Sequence, residues 1–79
     1  MRDSWTREQI NELKKRLLLY PGDDYIREHL SYLNNHLKKL DTYKSPIHRQ
    51  EEWKAVEYEA DNVETRLQIL ENSKKGNSK

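Results

Sequence analysis

The last third of the chain carries a heptad pattern that constrains it to a helix with one apolar side. Six apolar residues recur there at alternating steps of three and four: Trp53, Val56, Ala60, Val63, Leu67 and Leu70. This spacing places them along one seam of an α-helix, which must pack against other helices. Ser45 and Pro46 precede the pattern and are typical of an N-cap and a first helical residue. The pattern therefore predicts a helix over about residues 46–72.

Two shorter helices, each with a seam of its own, are predicted upstream. The first covers about residues 5–20 and begins with a capping-box pair, Thr6 and Gln9. The second covers about residues 24–41 and follows a turn at Pro21-Gly22. The seam of the first helix consists of Ile10, Leu13, Leu17 and Tyr20. The seam of the second consists of Ile26, Leu30, Leu33, Leu37 and Leu40.

Short links between the helices predict how they pack. Consecutive helices on short links run antiparallel. Several glutamates, among them Glu71, flank the third seam, and Lys14 and Arg16 flank the first. Because acidic and basic flanks attract each other, the first and third helices should be neighbours. We therefore expect an all-α fold, a small up-down-up three-helix bundle or helical hairpin with coiled-coil-like heptad seams. Residues 1–72 should form one helical domain, and residues 73–79, which contain no apolar side chain, a disordered tail.

Composition limits the classes of protein to which the chain can belong. Hydrophobic residues make up 33% of its 79 residues and charged residues 37%, which is too polar for a membrane span. There is no cysteine, so disulfides and thiol chemistry are excluded. The first residues lack the apolar run of a signal peptide. We therefore expect a cytoplasmic protein with no membrane association.

No residue pattern indicates catalysis, a metal or a cofactor. His29 and His36 share a helix face but lie seven residues apart, about 10 Å along the axis and too far to share one metal ion. With only two glycines, the chain has no glycine-rich phosphate loop. The second helix begins with Asp23 and Asp24, which would repel DNA phosphates at the end where a recognition helix needs positive charge. We expect no enzyme and no cofactor, and these aspartates disfavour a nucleic-acid partner.

The apolar residues that are hardest to bury gather at one end of the predicted bundle. The first helix ends in a run of consecutive apolar residues, and one seam can bury only some of them. The third helix is longer than the second, so the second helix leaves its last residues uncovered. An acidic face beside them would steer a basic partner. The predicted partner-binding residues are Leu18, Leu19, Tyr20, Tyr25, Glu57, Asp61, Glu64, Leu67, Ile69 and Leu70. The alternative is that the apolar members belong to the core. The opposite end should gather Trp5, Ile47 and Trp53.

Three functional hypotheses follow from these patterns. The favoured one is a small non-enzymatic binding module, a regulator or inhibitor that docks on a larger protein, as phage or mobile-element proteins that interfere with a host do. The second is a structural coiled-coil subunit that self-assembles through the same seams, for example as a homodimer. Nucleic-acid binding is the third and least favoured. No motif identifies the protein partner.

Overall fold

A computed structural model describes residues 4–76, with side chains described up to Ser73. These residues form three helices and no strand: α1 (Arg7–Leu17), α2 (Asp24–Thr42) and α3 (Pro46–Gly76). The predicted all-α, three-helix architecture is therefore confirmed. At 31 residues α3 is about 46 Å long, close to the 52 Å longest dimension of the molecule.

α1 runs parallel to α3 and lies against its second half. Just before α1, the indole Nε1 of Trp5 donates a hydrogen bond to Asp61 Oδ1 at 3.0 Å. Near the other end of α1, Arg16 Nη2 pairs with Glu71 Oε1 at 2.7 Å. The second contact joins a basic flank of the first seam to an acidic flank of the third, as the sequence predicted.

α2 runs antiparallel to α3. Asp23, the N-cap of α2, pairs with Arg66 at 2.8 Å, and further along α2 the imidazole of His36 hydrogen-bonds with Glu52 near the start of α3. α2 and α3 therefore form a long hairpin, over one half of which α1 packs. The predicted up-down-up order is confirmed.

The core contains nearly all the predicted seam residues. Its buried apolar members are Trp5, Ile10, Leu13, Leu17, Ile26, Leu33, Leu37, Leu40, Val56, Ala60, Val63 and Leu67. The partly buried side chains that pack against it are Tyr20, Leu30, Trp53 and Leu70. Every residue of the three seams appears in one of these two sets. Trp5 is the one buried member that belongs to no seam.

α1 is shorter than predicted at both ends. It begins after Thr6, whose side chain accepts from the Gln9 amide at 3.1 Å while Gln9 Oε1 accepts from the Thr6 amide at 3.0 Å. This confirms the capping box and leaves Trp5 outside the helix. α1 ends at Leu17 rather than residue 20, and residues 18 and 19 form a turn. Pro21 disfavours a helical conformation at Tyr20, so the helix could not have extended to that residue without cost.

The other helix ends differ less. α2 extends one residue beyond its predicted end, to Thr42. α3 continues to Gly76 rather than ending at residue 72, so the first four residues of the predicted disordered tail are helical. The rest of that predicted tail, residues 77–79, lies outside the described part of the chain, as do residues 1–3.

Candidate functional site

The turn after α1 presents two adjacent leucines to solvent. Leu18 is 68% exposed and Leu19 is 73% exposed, and we call this pair the leucine turn. Backbone hydrogen bonds fix its shape, since the Leu18 amide donates to the Lys14 carbonyl at 3.2 Å and the Leu19 amide to the Arg16 carbonyl at 3.1 Å. Two large apolar side chains are thus held in water by an ordered backbone.

The predicted partner surface contains two further exposed hydrophobic residues. Ile69 on α3 is 54% exposed, and Tyr25 in the first turn of α2 is 41% exposed. The Tyr25 ring stacks on the imidazole of His29, with ring centroids 4.1 Å apart. Its orientation is therefore set by a neighbour on the same helix.

Three other apolar residues of that predicted surface belong to the core or pack against it. Leu67 has no exposed surface, and Tyr20 and Leu70 lie half-buried against the core. The end of α3 was expected to project beyond the bundle or to pack only partly, which is wrong for Leu67 and correct for the partly buried Leu70. The reason is that α1 and the turn after it reach the same level of α3, so they cover what α2 leaves uncovered.

The predicted acidic face is largely engaged with α1. Glu57 Oε2 accepts from the backbone amide of Trp5 at 2.9 Å, and Asp61 accepts from its indole. Glu64 is buried and lines a cleft of about 330 Å³ together with Glu8 and Glu12 of α1. Glu57 and Asp61 therefore hold the residue that leads into α1. That this acidic face steers a basic partner stays a prediction.

Two histidine–glutamate pairs join α2 to α3. His29 Nδ1 lies 2.7 Å from Glu59 Oε1, and His36 forms the second pair, with Glu52, one heptad away. All four side chains are mostly buried. Each pair satisfies polar groups beside the seams. Within residues 4–73, no set of three or more histidine, cysteine, aspartate or glutamate side chains is placed to hold a metal ion.

Tyr32 extends the aromatic group on α2. Its ring meets His29 edge-on at 5.4 Å. Its hydroxyl donates to Glu28 Oε1 at 2.9 Å, and this hydrogen bond and the charge of Glu28 raise the pKa of the phenol. The hydroxyl therefore stays protonated near neutral pH and serves as a hydrogen-bond donor.

A second surface, which the sequence did not assign to partner binding, lies at the beginning of α1. It is a shallow cleft of about 620 Å³ between the start of α1, the end of α2 and the first turns of α3. We call it the tryptophan groove, lined by Trp5, Thr6, Arg7, Leu40, Pro46, Arg49, Gln50 and Trp53. It exists because α1 begins opposite the middle of α3, so the first turns of α3 pair mainly with α2.

Two charged side chains are among the described residues that line the tryptophan groove, and both are positive. Arg7 pairs at the rim with Asp41 at 3.2 Å, and both side chains are about half exposed. Arg49 Nη1 donates to the carbonyl oxygens of Leu40 at 2.8 Å and Tyr43 at 3.1 Å, which satisfies acceptors at the end of α2. Within residues 4–73, no carboxylate lines the groove.

The predicted gathering of Trp5, Ile47 and Trp53 is partly correct. Trp5 and Trp53 do line the same groove, whereas Ile47 is 69% exposed and is not among the lining residues. The two tryptophans were the sequence signal for this surface. Its opening depends on where α1 starts along α3, which the seams alone do not specify.

Comparison with known proteins gives no relative. No protein-family model matches the chain, and no curated protein or solved structure matches it either. Among the described residues, no helix combines the length and apolarity needed to cross a membrane. The exposed surfaces of the molecule are therefore the basis for inferring its function.

Proposed function

We propose that this protein is a non-enzymatic binding module that docks on a larger protein through the leucine turn. The observation that carries this proposal is the exposure of Leu18 and Leu19, at 68% and 73%. Covering a leucine side chain fully gains about 1.5–3 kcal/mol relative to leaving it in water. Two adjacent leucines can therefore anchor an interface.

The ordered backbone of the leucine turn also favours docking. Leu17 on one side is fully buried, and Tyr20 on the other packs against the core. The two exposed leucines are thus held between anchored neighbours. A partner that covers them need not order the chain first, which removes one of the main costs of association.

We propose further that the module acts in the cytoplasm as a regulator or inhibitor by occupying a surface of its partner. A phage or mobile-element protein that interferes with a host protein is one such case. The engaged state of its ionisable side chains supports a non-enzymatic role. His29 and His36 are each bonded to a glutamate, and Glu57 and Asp61 are bonded to Trp5.

Affinity capture with a matched pair of variants tests the proposal. The double variant Leu18→Ser/Leu19→Ser removes the exposed apolar surface, and Ile47→Ser removes a similarly exposed side chain from another part of the molecule. We expect a protein from the native host to be recovered with wild type and Ile47→Ser but lost with the double variant. All three chains should show equal helicity by circular dichroism. Equal recovery with the double variant would overturn the proposal.

Self-association through the same leucines is the second candidate. It is favoured by the exposure of Ile69 on α3 in addition to the leucine turn, because a larger apolar surface suits a symmetric contact with a second copy. Sedimentation equilibrium over a range of concentrations separates the two candidates. A dimer that dissociates in Leu18→Ser/Leu19→Ser would support self-assembly, whereas a monomer at all concentrations would exclude it.

A further inference from the structure

We propose that the tryptophan groove is a second docking site and that it takes an acidic peptide segment with apolar anchors, presented by another protein. This site is separate from the leucine turn and does not depend on it. Three features of the groove support this proposal: its floor, its charge and its position in the fold.

The floor of the groove is apolar and fixed. Trp5 is only 5% exposed and is held by two hydrogen bonds, from its amide to Glu57 and from its indole to Asp61. Beside it, Leu40 is buried and Trp53 is partly buried. An apolar side chain placed on this floor would cover the remaining surface of Trp53 and Pro46 without reordering either tryptophan. Aromatic side chains held in this way are typical anchors of protein interfaces.

The charge of the groove selects an acidic occupant. Among the described residues that line it, Arg7 and Arg49 are the only charged ones. Arg49 is fixed in place because its guanidinium donates to the carbonyl oxygens of Leu40 and Tyr43, and among the described residues it has no carboxylate partner. Arg7 pairs with Asp41, but exposed pairs of this kind contribute little and can exchange partners. Carboxylates of a peptide would thus meet two cations, and a basic peptide would be repelled.

The position of the groove sets the size of the occupant. In the part of the chain that the structure describes, no third helix packs over the α2–α3 hairpin beyond the N-terminal end of α1. Along α3 the groove extends from Pro46 to Trp53, which is about 10 Å or two helical turns. A short segment therefore suffices to fill it, and only one or two apolar anchors fit.

The tryptophans themselves provide the measurement. The chain contains two, Trp5 and Trp53, and both line the groove, so its intrinsic tryptophan fluorescence reports on this site. The probe is a synthetic peptide of about 12 residues, free of aromatic residues, with two leucines at i and i+4 and glutamate at most other positions. The comparison peptides have each glutamate replaced by glutamine or by lysine.

We expect the glutamate peptide to give a saturable fluorescence change that weakens with added salt, because its attraction to the two arginines is screened. The glutamine peptide should bind at least about ten-fold more weakly, and the lysine peptide should give no change. No fluorescence change up to about 1 mM glutamate peptide, or equal binding of the lysine peptide, would overturn the proposal.

Opposite substitutions at one rim position sharpen the test. Gln50 is exposed and lines the groove, so Gln50→Lys should tighten binding of the glutamate peptide and Gln50→Glu should weaken it, each by about two- to five-fold. Gln68, exposed on the same helix, provides matched controls of equal net charge in Gln68→Lys and Gln68→Glu. If the Gln68 variants shift binding as much as the Gln50 variants, the effect is one of net charge and the groove is excluded.

The leucine-turn variant distinguishes this site from the proposed function. Leu18→Ser/Leu19→Ser should bind the glutamate peptide as tightly as wild type, because neither leucine is among the groove-lining residues. A loss of peptide binding in that variant would assign the peptide to the leucine turn and overturn the proposal for the groove.

Discussion

Asp23 and Arg66 tie the start of α2 to α3 through two hydrogen bonds to one carboxylate oxygen. Arg66 Nη2 lies 2.8 Å and Nε 3.3 Å from Asp23 Oδ2. The other oxygen, Oδ1, accepts from the Ile26 amide at 2.9 Å and so caps α2. The hydrogen bond from Arg66, followed by the one from Ile26, lowers the pKa of Asp23. One side chain thus fixes both the first turn of α2 and its position on α3.

This arrangement predicts a pH-dependent contribution of Asp23 to stability. The folded pKa lies below the ordinary aspartate value of 3.8, so the carboxylate stabilises the protein above pH 3.8. That contribution is lost as the pH falls through the folded pKa. Asp23→Asn retains a capping oxygen but no charge. Urea unfolding should show Asp23→Asn to be less stable than wild type near neutral pH, with a difference that vanishes in acid. A difference independent of pH would contradict this prediction.

Gly22 is a position where a side chain should stabilise the protein. Its φ angle is not positive, and a Cβ added there would meet no atom within 4 Å. Gly22→Ala should therefore raise the free energy of unfolding by about 0.4–1 kcal/mol, because alanine reduces the conformational entropy of the unfolded chain. For a domain of this size the melting temperature should rise by a few degrees, about 4–8 °C per kcal/mol. A lower melting temperature would show that the turn uses the conformational freedom of glycine.

Leu67 and Ile69 lie two residues apart on α3 but should respond differently to truncation. Leu67 is fully buried, so Leu67→Ala should lower the free energy of unfolding by about 2–5 kcal/mol through lost burial and a cavity. Ile69 is 54% exposed, and Ile69→Ala should change it by no more than about 0.5 kcal/mol. Urea denaturation of the two variants checks this. Equal effects would mean that the face of α3 toward α1 is misassigned.

Asp61 should contribute to the stability of the fold, because it accepts a hydrogen bond from the indole of Trp5. Asp61→Ala leaves this nearly buried N–H without its acceptor, which costs about 1–3 kcal/mol. The near-ultraviolet circular dichroism of tryptophan should also diminish. Glu51→Ala, which removes an exposed carboxylate from the same helix, is the control and should leave both properties unchanged. If Asp61→Ala is as stable as wild type, the contact does not hold α1 in place.

The seams could be predicted because helical burial repeats in the sequence. Leu33 and Val63 lie at the centres of their seams, and both are fully buried. The capping pair Thr6 and Gln9 was equally readable, since a side chain and a backbone amide three residues apart recognise each other locally. These features depend on short-range spacing, which a sequence contains directly.

The position of α1 along α3 could not be predicted in the same way. A heptad seam repeats itself, so sliding one helix by seven residues still matches apolar residues to apolar residues. The observed position is fixed by contacts of Trp5, which lies outside the seams, with Glu57 and Asp61. Both the burial of Leu67 and the opening of the tryptophan groove follow from this position of α1 along α3. The leucine turn could be predicted without the position of α1 along α3, because the run of leucines contains more apolar residues than one seam can bury.

The placement of α1 also implies an order of events during folding. Contacts near the closed end of the α2–α3 hairpin join residues close in sequence, such as His36 and Glu52, 16 positions apart, whereas Trp5 and Asp61 are 56 positions apart. Closing the shorter loop costs less entropy, so the hairpin should form in the transition state and α1 should add afterwards. Truncation of Leu33 should then mainly slow folding. Truncation of Ile10 should mainly accelerate unfolding, since its contacts with the hairpin are the last to form and the first to be lost.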